Sequence, residues 1–255
     1  MNIQNTILAA TIALTTSFLQ AADAPATPPV APPPPKPKPT PAPRTAESAV
    51  TPTLANEGRH KNFLEAGKKP GIQLLFLGDS ITDAFPGRGK AVWTEHYAPF
   101  TAVSFGVSGE RTENTLGHIA GGVLDGMSPK VVVIMIGTNN VGHFADEKPE
   151  WAAAGVKKIV GEVRTKLPNS KILLLGVFPR DKKGSPRRVA VEGINAIIKG
   201  YDDGKTVRFL DISAKFLSPE GDIPKDIMPD ALHPNEAGYK IWAEAMMPLL
   251  DEMMK

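Results

Sequence analysis

The sequence predicts a three-layer α/β/α sandwich built on a five-stranded parallel sheet, and two observations carry that reading. Five short apolar runs, at 72–77, 101–105, 131–136, 172–177 and 207–210, alternate with amphipathic stretches long enough to be crossover helices. The runs at 131 and 172 are continuously apolar rather than alternating, which implies strands buried on both faces and hence a sheet between two helix layers.

Taken in order, the chain begins with a segment that does not belong to this fold. Residues 7–19 are an apolar run too short to span a bilayer comfortably, followed by small residues at Ala21 and Ala22. Residues 1–22 therefore read as a signal peptide, with an uncleaved anchor as the alternative because no Lys or Arg precedes the run. Residues 23–52 read as a proline-rich disordered linker, since 11 of the 25 prolines fall between Pro25 and Pro43. A segment so poor in donors and apolar side chains should be extended polyproline II, reaching on the order of 60 Å. The folded domain is expected over 53–255, opening with a short helix over 57–65 in which His60 and Phe63 lie one turn apart.

The first strand then runs into Gly78-Asp79-Ser80, the second into Gly106-Val107-Ser108-Gly109 and the third into Gly137-Thr138-Asn139-Asn140. Later helices follow from the spacing of Val156, Ile159, Val160, Val163 and Leu167, and of Val191, Ile194 and Ile198. Ala237, Ile241, Ala245 and Leu249 mark a last helix, which Asn235 would cap just after Asp230-Ala231-Leu232-His233.

In parallel α/β sheets ligands bind at the carboxyl ends of the strands, and the polar segments gather there. A serine hydroxyl is a weak nucleophile until an imidazole accepts its proton, so Ser80 needs a base. His233 can supply it, and Asp230, three residues earlier, can fix its tautomer. An attacked ester carbonyl becomes an oxyanion that needs donors. The Ser80 and Gly106 N–H groups and the Asn139 carboxamide are candidates. Asp79, Trp93, Phe178 and Arg180 are candidate substrate-binding residues, Trp93 equally a core residue and Asp79 a loop or helix-start residue rather than a proton-transfer group. His143 with Asp146 is a rival base, and Arg111 reads as an ion-pair partner of nearby acids.

Gly78-Asp79-Ser80, Gly106-x-x-Gly109, Gly137-x-Asn139 and Asp230-x-x-His233, in that order, resemble the four blocks of the GDSL or SGNH hydrolases. The stretches 105–114 and 137–140 are most similar to the branch with the platelet-activating-factor acetylhydrolase catalytic subunits and bacterial acetyl-ester hydrolases. One departure is Ser104, where relatives often carry Asn. The resemblance implies a flavodoxin-like sandwich and a Ser80-His233-Asp230 esterase with Gly106 and Asn139 in the oxyanion hole, working without metal or cofactor. It leaves the oligomeric state open, because interfaces do not reside in the four blocks.

Composition narrows the partners. A net charge of +2 from 29 basic and 27 acidic residues gives no case for nucleic acid, and the absence of Cys excludes disulfides and thiol chemistry. The expected protein is a secreted, periplasmic or cell-surface serine esterase acting on a small acyl ester, with an acetylated glycan as substrate and no stable membrane insertion once the signal is cut. Short loops would leave a long acyl chain little apolar cover. The alternatives are a lysophospholipase or short-chain lipid esterase, and a catalytically silent glycan-binding module on a tether.

Overall fold

The computed structural model describes residues 43–255; the segment expected to be a signal peptide and the expected linker up to residue 42 lie outside the described residues. Helix α1 (Glu57–Gly67) precedes strand β1 (Leu74–Gly78), and the short helices α2 (Ser80–Asp83), α3 (Phe85–Arg88) and α4 (Lys90–His96) lead to β2 (Val103–Gly106). Next come α5 (Thr112–Ala120), β3 (Val131–Met135), α6 (Thr138–His143), α7 (Pro149–Lys166) and β4 (Lys171–Leu175). The chain closes with α8 (Pro186–Ile198), β5 (Val207–Leu210) and α9 (Glu236–Met254). All five apolar runs become strands, with ends within two residues of those the sequence marks.

Every pairing is parallel and the strand order is β2-β1-β3-β4-β5. This flavodoxin-like order has its switch point beside β1, where the chain first crosses to β2 and then to β3 on the other side. Successive strand residues serve opposite layers, which is why the runs are continuously apolar. Leu75, Leu77, Val132, Ile134, Ile172 and Leu174 pack with α5, α7 and α8 through Leu116, Ile159 and Ile194. Leu74, Phe76, Val131, Val133, Leu173 and Leu175 pack on the other face with Phe85, Trp242 and Met246. Each fully buried side chain of this kind contributes roughly 1.5–3 kcal/mol over its exposed state.

Two expectations need correction. The buried stripe of α9 is Tyr239, Trp242, Ala243, Met246 and Leu250, whereas Ala237 is exposed and Ile241, Ala245 and Leu249 are only partly buried. A strict four-residue spacing drifts around a helix of 3.6 residues per turn, and the large Tyr239 and Trp242 side chains decide which face turns inward. The linker also ends sooner than residue 52. Ala49 is fully buried, its carbonyl accepts from Thr112 Oγ1 at 2.9 Å, and Thr53 N–H donates to Glu113 O at 2.9 Å. Arg44 reaches Glu113 and Glu147 at 2.8 and 2.6 Å. Residues 44–51 contain no proline, so they keep the backbone donors that the preceding tract gives up at each proline.

Candidate active site

The nucleophile candidate is placed by close packing where β1 ends. Asp79 caps α2, its side chain accepting from Ile81 N–H at 3.0 Å, and Ser80 is the first residue of the helix. Register sets Gly78 between Gly106 of β2 and Met135 of β3, so the three strand ends that carry polar residues are neighbours. A Cβ on Gly78 would land on the Thr82 side chain, and one on Gly106 on the backbone of Thr82 and Asp83. Both glycines are therefore needed for α2 to cross the strand ends so closely. The helix is held from two further elements. Ser104 Oγ donates to Thr82 O at 3.0 Å, and Tyr239 Oη donates to Ile81 O at 2.7 Å. Ser104 thus makes its own bond to the turn after Ser80.

The base candidate arrives on the loop before α9. His233 Nε2 lies 2.9 Å from Ser80 Oγ, and His233 Nδ1 lies 2.6 Å from Asp230 Oδ2. A carboxylate only accepts, so the imidazole proton sits on Nδ1 and the Nε2 lone pair faces the hydroxyl. Asp230 Oδ1 also accepts the N–H groups of Leu232 and His233, at 3.1 and 2.7 Å. Partial burial works to raise the Asp230 carboxyl, but the bonds from His233 outweigh it and hold the group below the usual carboxylate range. Ala231, between the two, takes a left-handed φ of 56° and its carbonyl accepts from Asp181 N–H at 2.9 Å.

The third polar segment is fixed from several directions. Asn139 is buried and its Nδ2 donates to Glu110 O at 2.9 Å, which leaves one amide hydrogen free of that bond. Asn140 is fully buried, accepting from Thr112 N–H at 3.1 Å and donating to Glu147 Oε1 at 3.1 Å. Arg180 Nη1 donates to both the carbonyl and the hydroxyl of Thr138, at 2.7 and 3.1 Å.

The structure thus brings Ser80, His233 and Asp230 into one hydrogen-bonded chain, and sets Gly106 at the end of β2 and Asn139 at the start of α6, which follows β3. The four substrate-binding candidates fare differently. Asp79, Phe178 and Arg180 are 1%, 1% and 5% exposed, and their side chains are engaged inside the fold. Asp79 is spent on the α2 cap, Phe178 packs between Phe216 and Trp242, and Arg180 braces Thr138. Trp93, partly buried, packs against Phe76, Phe85 and Tyr97. Burial lifts the Asp79 carboxyl to about 7, against the opposing pull of its Ile81 bond and of His233 and Arg180.

Among the remaining candidates, His143 Nδ1 faces Arg111 Nη1 at 3.0 Å, and burial together with Arg111 and Arg180 lowers its pKa. Asp146 instead accepts the Arg44 backbone N–H at 3.3 Å. Arg111 forms the expected ion pair, with Glu113 at 2.6 Å. Sequence reasoning missed the supports: Glu110, His118, Thr138, Asn140 and Arg44. One pattern pointed to them, because α5 carries Thr112, Glu113, Asn114, Thr115 and His118 all buried, and buried polar groups need partners.

Comparison with known proteins gives the family and the fold. Residues 76–241 match the model of the GDSL-like lipase/acylhydrolase family. The platelet-activating factor acetylhydrolase IB subunit alpha2 of Rattus norvegicus is 33% identical over 199 residues, covering 76% of this chain and 84% of that protein. The human alpha1 subunit is 30% identical over 192 residues, covering 75% and 80%. Among solved structures, a GDSL-like lipase from Bacteroides thetaiotaomicron has a TM-score of 0.65 at 19% identity, covering 78% of this chain and 99% of that one. An acetylxylan esterase from Geobacillus stearothermophilus has a TM-score of 0.55 at 23% identity, covering 72% and 94%. A serine, an imidazole and a carboxylate in series at the switch point of this sheet are thus carried by a chain that belongs to the GDSL-like lipase/acylhydrolase family and is an ester hydrolase.

Proposed function

We propose that the protein removes a short acyl group, acetyl above all, from an alcohol through a Ser80-His233-Asp230 triad and an acyl-enzyme. The observation that carries this reading is the unbroken chain from Ser80 Oγ to His233 Nε2 and from Nδ1 to Asp230. Ser80 Oγ attacks the ester carbonyl as its proton passes to His233 Nε2, and Asp230 stabilises the imidazolium that forms. The carbonyl oxygen becomes an oxyanion facing the N–H groups of Ser80 and Gly106 and the free amide hydrogen of Asn139. Collapse expels the alcohol, which takes the proton from His233, and water repeats the cycle to release the acid.

The acetyl assignment leans on the acetylhydrolase relatives, which match over three quarters of the chain. For the alcohol we propose a carbohydrate outside the cytoplasm, on the strength of the apolar run at 7–19 and the proline tract after it. We assign the sugar to a cavity of about 580 Å³ whose lining includes Ala231, the chain neighbour of Asp230, but not Ser80, Asp230 or His233 themselves. Its wall includes Phe144 and Pro186 as well as Lys182 and Arg187, so it has both apolar and charged contacts to offer. The same relatives favour a second reading, an acetylated phospholipid.

The test is turnover of p-nitrophenyl acetate, butyrate and octanoate by the protein and by Ser80→Ala, followed by acetate release from acetylated xylan, an acetylated sialic acid and an acetylated phospholipid. The expected result is acetate-selective, Ser80-dependent turnover with a glycan preferred. Preference for the phospholipid or for octanoate would replace the carbohydrate reading with a lipid one. Turnover that survives Ser80→Ala, or none in either protein, would overturn the triad.

A further inference from the structure

One buried cluster of titratable groups takes no part in the reaction as written, and it stands directly behind Asn139. The carbonyl that receives Asn139 Nδ2 belongs to Glu110, whose own side chain is 4% exposed. Its Oε1 lies 2.9 Å from Nε2 of His118, which is equally buried on α5. On the far side of that ring, His118 Nδ1 lies 3.2 Å from Nδ1 of His60, and the two rings stack at 5.3 Å. His60 sits on α1 and is partly exposed, so the chain runs from the surface to the proposed oxyanion hole. The Glu110 carboxylate only accepts, so His118 Nε2 donates to it, and a single proton lies between the two Nδ1 atoms.

A side-chain amide can enter a site either way round, and the two ways have opposite consequences here. With nitrogen toward Glu110, Asn139 keeps a donor for an oxyanion. Flipped, it would turn its oxygen toward developing negative charge. The Glu110 carbonyl decides the matter because it can only accept. Glu110 itself lies outside regular structure, between β2 and α5, where its N–H bonds Val107 O at 3.2 Å. The bond from His118 therefore anchors this residue by its side chain. Without it, a buried carboxylate would lose its partner, a cost met by moving the side chain toward water and the peptide with it.

We propose that Glu110 and His118 form a positioning pair that fixes the orientation of the Asn139 carboxamide. This rests on the reading of Asn139 as an oxyanion donor. His118 acts at two removes from the reacting atoms, through a side chain and then a carbonyl, so its loss should cost less than loss of the donor itself.

The experiment measures kcat and KM for p-nitrophenyl acetate with His118→Ala and His118→Gln, each alone and in an Asn139→Ala background. Asn139→Ala alone should lower kcat roughly 10²–10³-fold. His118→Ala should lower kcat roughly 10- to 100-fold with KM nearly unchanged. Its effect should shrink to less than about 3-fold once Asn139 is gone, because the group it positions is absent. His118→Gln, whose amide can still donate to Glu110, should recover most of the rate. Full additivity of the two losses, or an unchanged kcat in His118→Ala, overturns the positioning role while leaving the donor role intact. An unchanged kcat in Asn139→Ala overturns the donor role, and the positioning role with it. Should His118→Ala fail to fold, Glu110→Ala removes the buried charge instead of orphaning it, and the same non-additive loss is expected.

Discussion

The two halves of the candidate site are built on opposite principles. On the nucleophile side, Asp79, Asn139 and Asn140 are buried; Asp79 caps its own helix, while Asn139 and Asn140 are tied to Glu110 and Thr112, 29 and 28 positions away. On the base side, the Asp230 side chain is 57% exposed and that of His233 27%, and the pair is local, three residues apart on an irregular loop. Buried partners cannot be replaced by water, whereas exposed ones can in part. The nucleophile side should thus be fragile in its supports, and the base side should tolerate loss of its outer member better than a buried triad would.

The largest effects test this directly. Ser80→Ala and His233→Ala should each lower kcat roughly 10⁴–10⁶-fold, since the members of such a unit fail together. Asp230→Ala should cost less, on the order of 10²–10³-fold, because solvent can reach His233 Nδ1 and accept its proton in place of the carboxylate. Kinetics with p-nitrophenyl acetate at pH 8 separate the cases. A loss in Asp230→Ala as deep as in Ser80→Ala would erase the contrast between the halves.

A stability comparison comes next. Arg44 lies among Glu113, Glu147 and the Phe144 ring, and Glu147 in turn accepts from Asn140. Arg44→Met should destabilise the fold by roughly 3–5 kcal/mol, as expected when a buried carboxylate loses its cation. Asp230→Ala should change stability by less than about 1 kcal/mol, because the exposed pair is screened. Urea midpoints of the two variants check both figures, and equal midpoints would mean that burial does not separate the halves.

The same contrast explains what could be read from the sequence. All five strands were legible because burial on two faces leaves a local trace, an unbroken apolar run such as 131–136. Ser80, Asp230 and His233 were legible because each stands at a strand end or before a helix, in short motifs with a chemical purpose. The supports were not. Arg44 bonds Glu113 and Glu147, 69 and 103 positions away, and nothing local to Arg44 announces either partner. Phe178 and Arg180 show a related limit: position after a strand says that a residue is near the site edge, not which way its side chain turns. Phe178 turns down onto Trp242, and Arg180 sideways to Thr138.

A pH-dependent effect concerns Asp79, buried beside the nucleophile and lifted to about 7 from an ordinary 3.8. The folded state therefore holds this proton at pH values where the unfolded chain has released it. Stability then falls as pH rises from about 4 to about 7, and the full penalty of the buried charge is present above that. Asparagine keeps the acceptor for Ile81 N–H and never ionises. Asp79→Asn should match the parent protein near pH 4 and exceed it progressively up to pH 7, by at most about 4 kcal/mol, with a constant difference beyond. Other groups titrate in both proteins and cancel. Thermal or urea unfolding of the pair between pH 4 and 8 reads this difference. A gap that stays flat across that range, or that closes as pH rises, would mean that the carboxylate at the foot of α2 is stabilised as an anion, and that the nucleophile side of the site carries a charge its burial argues against.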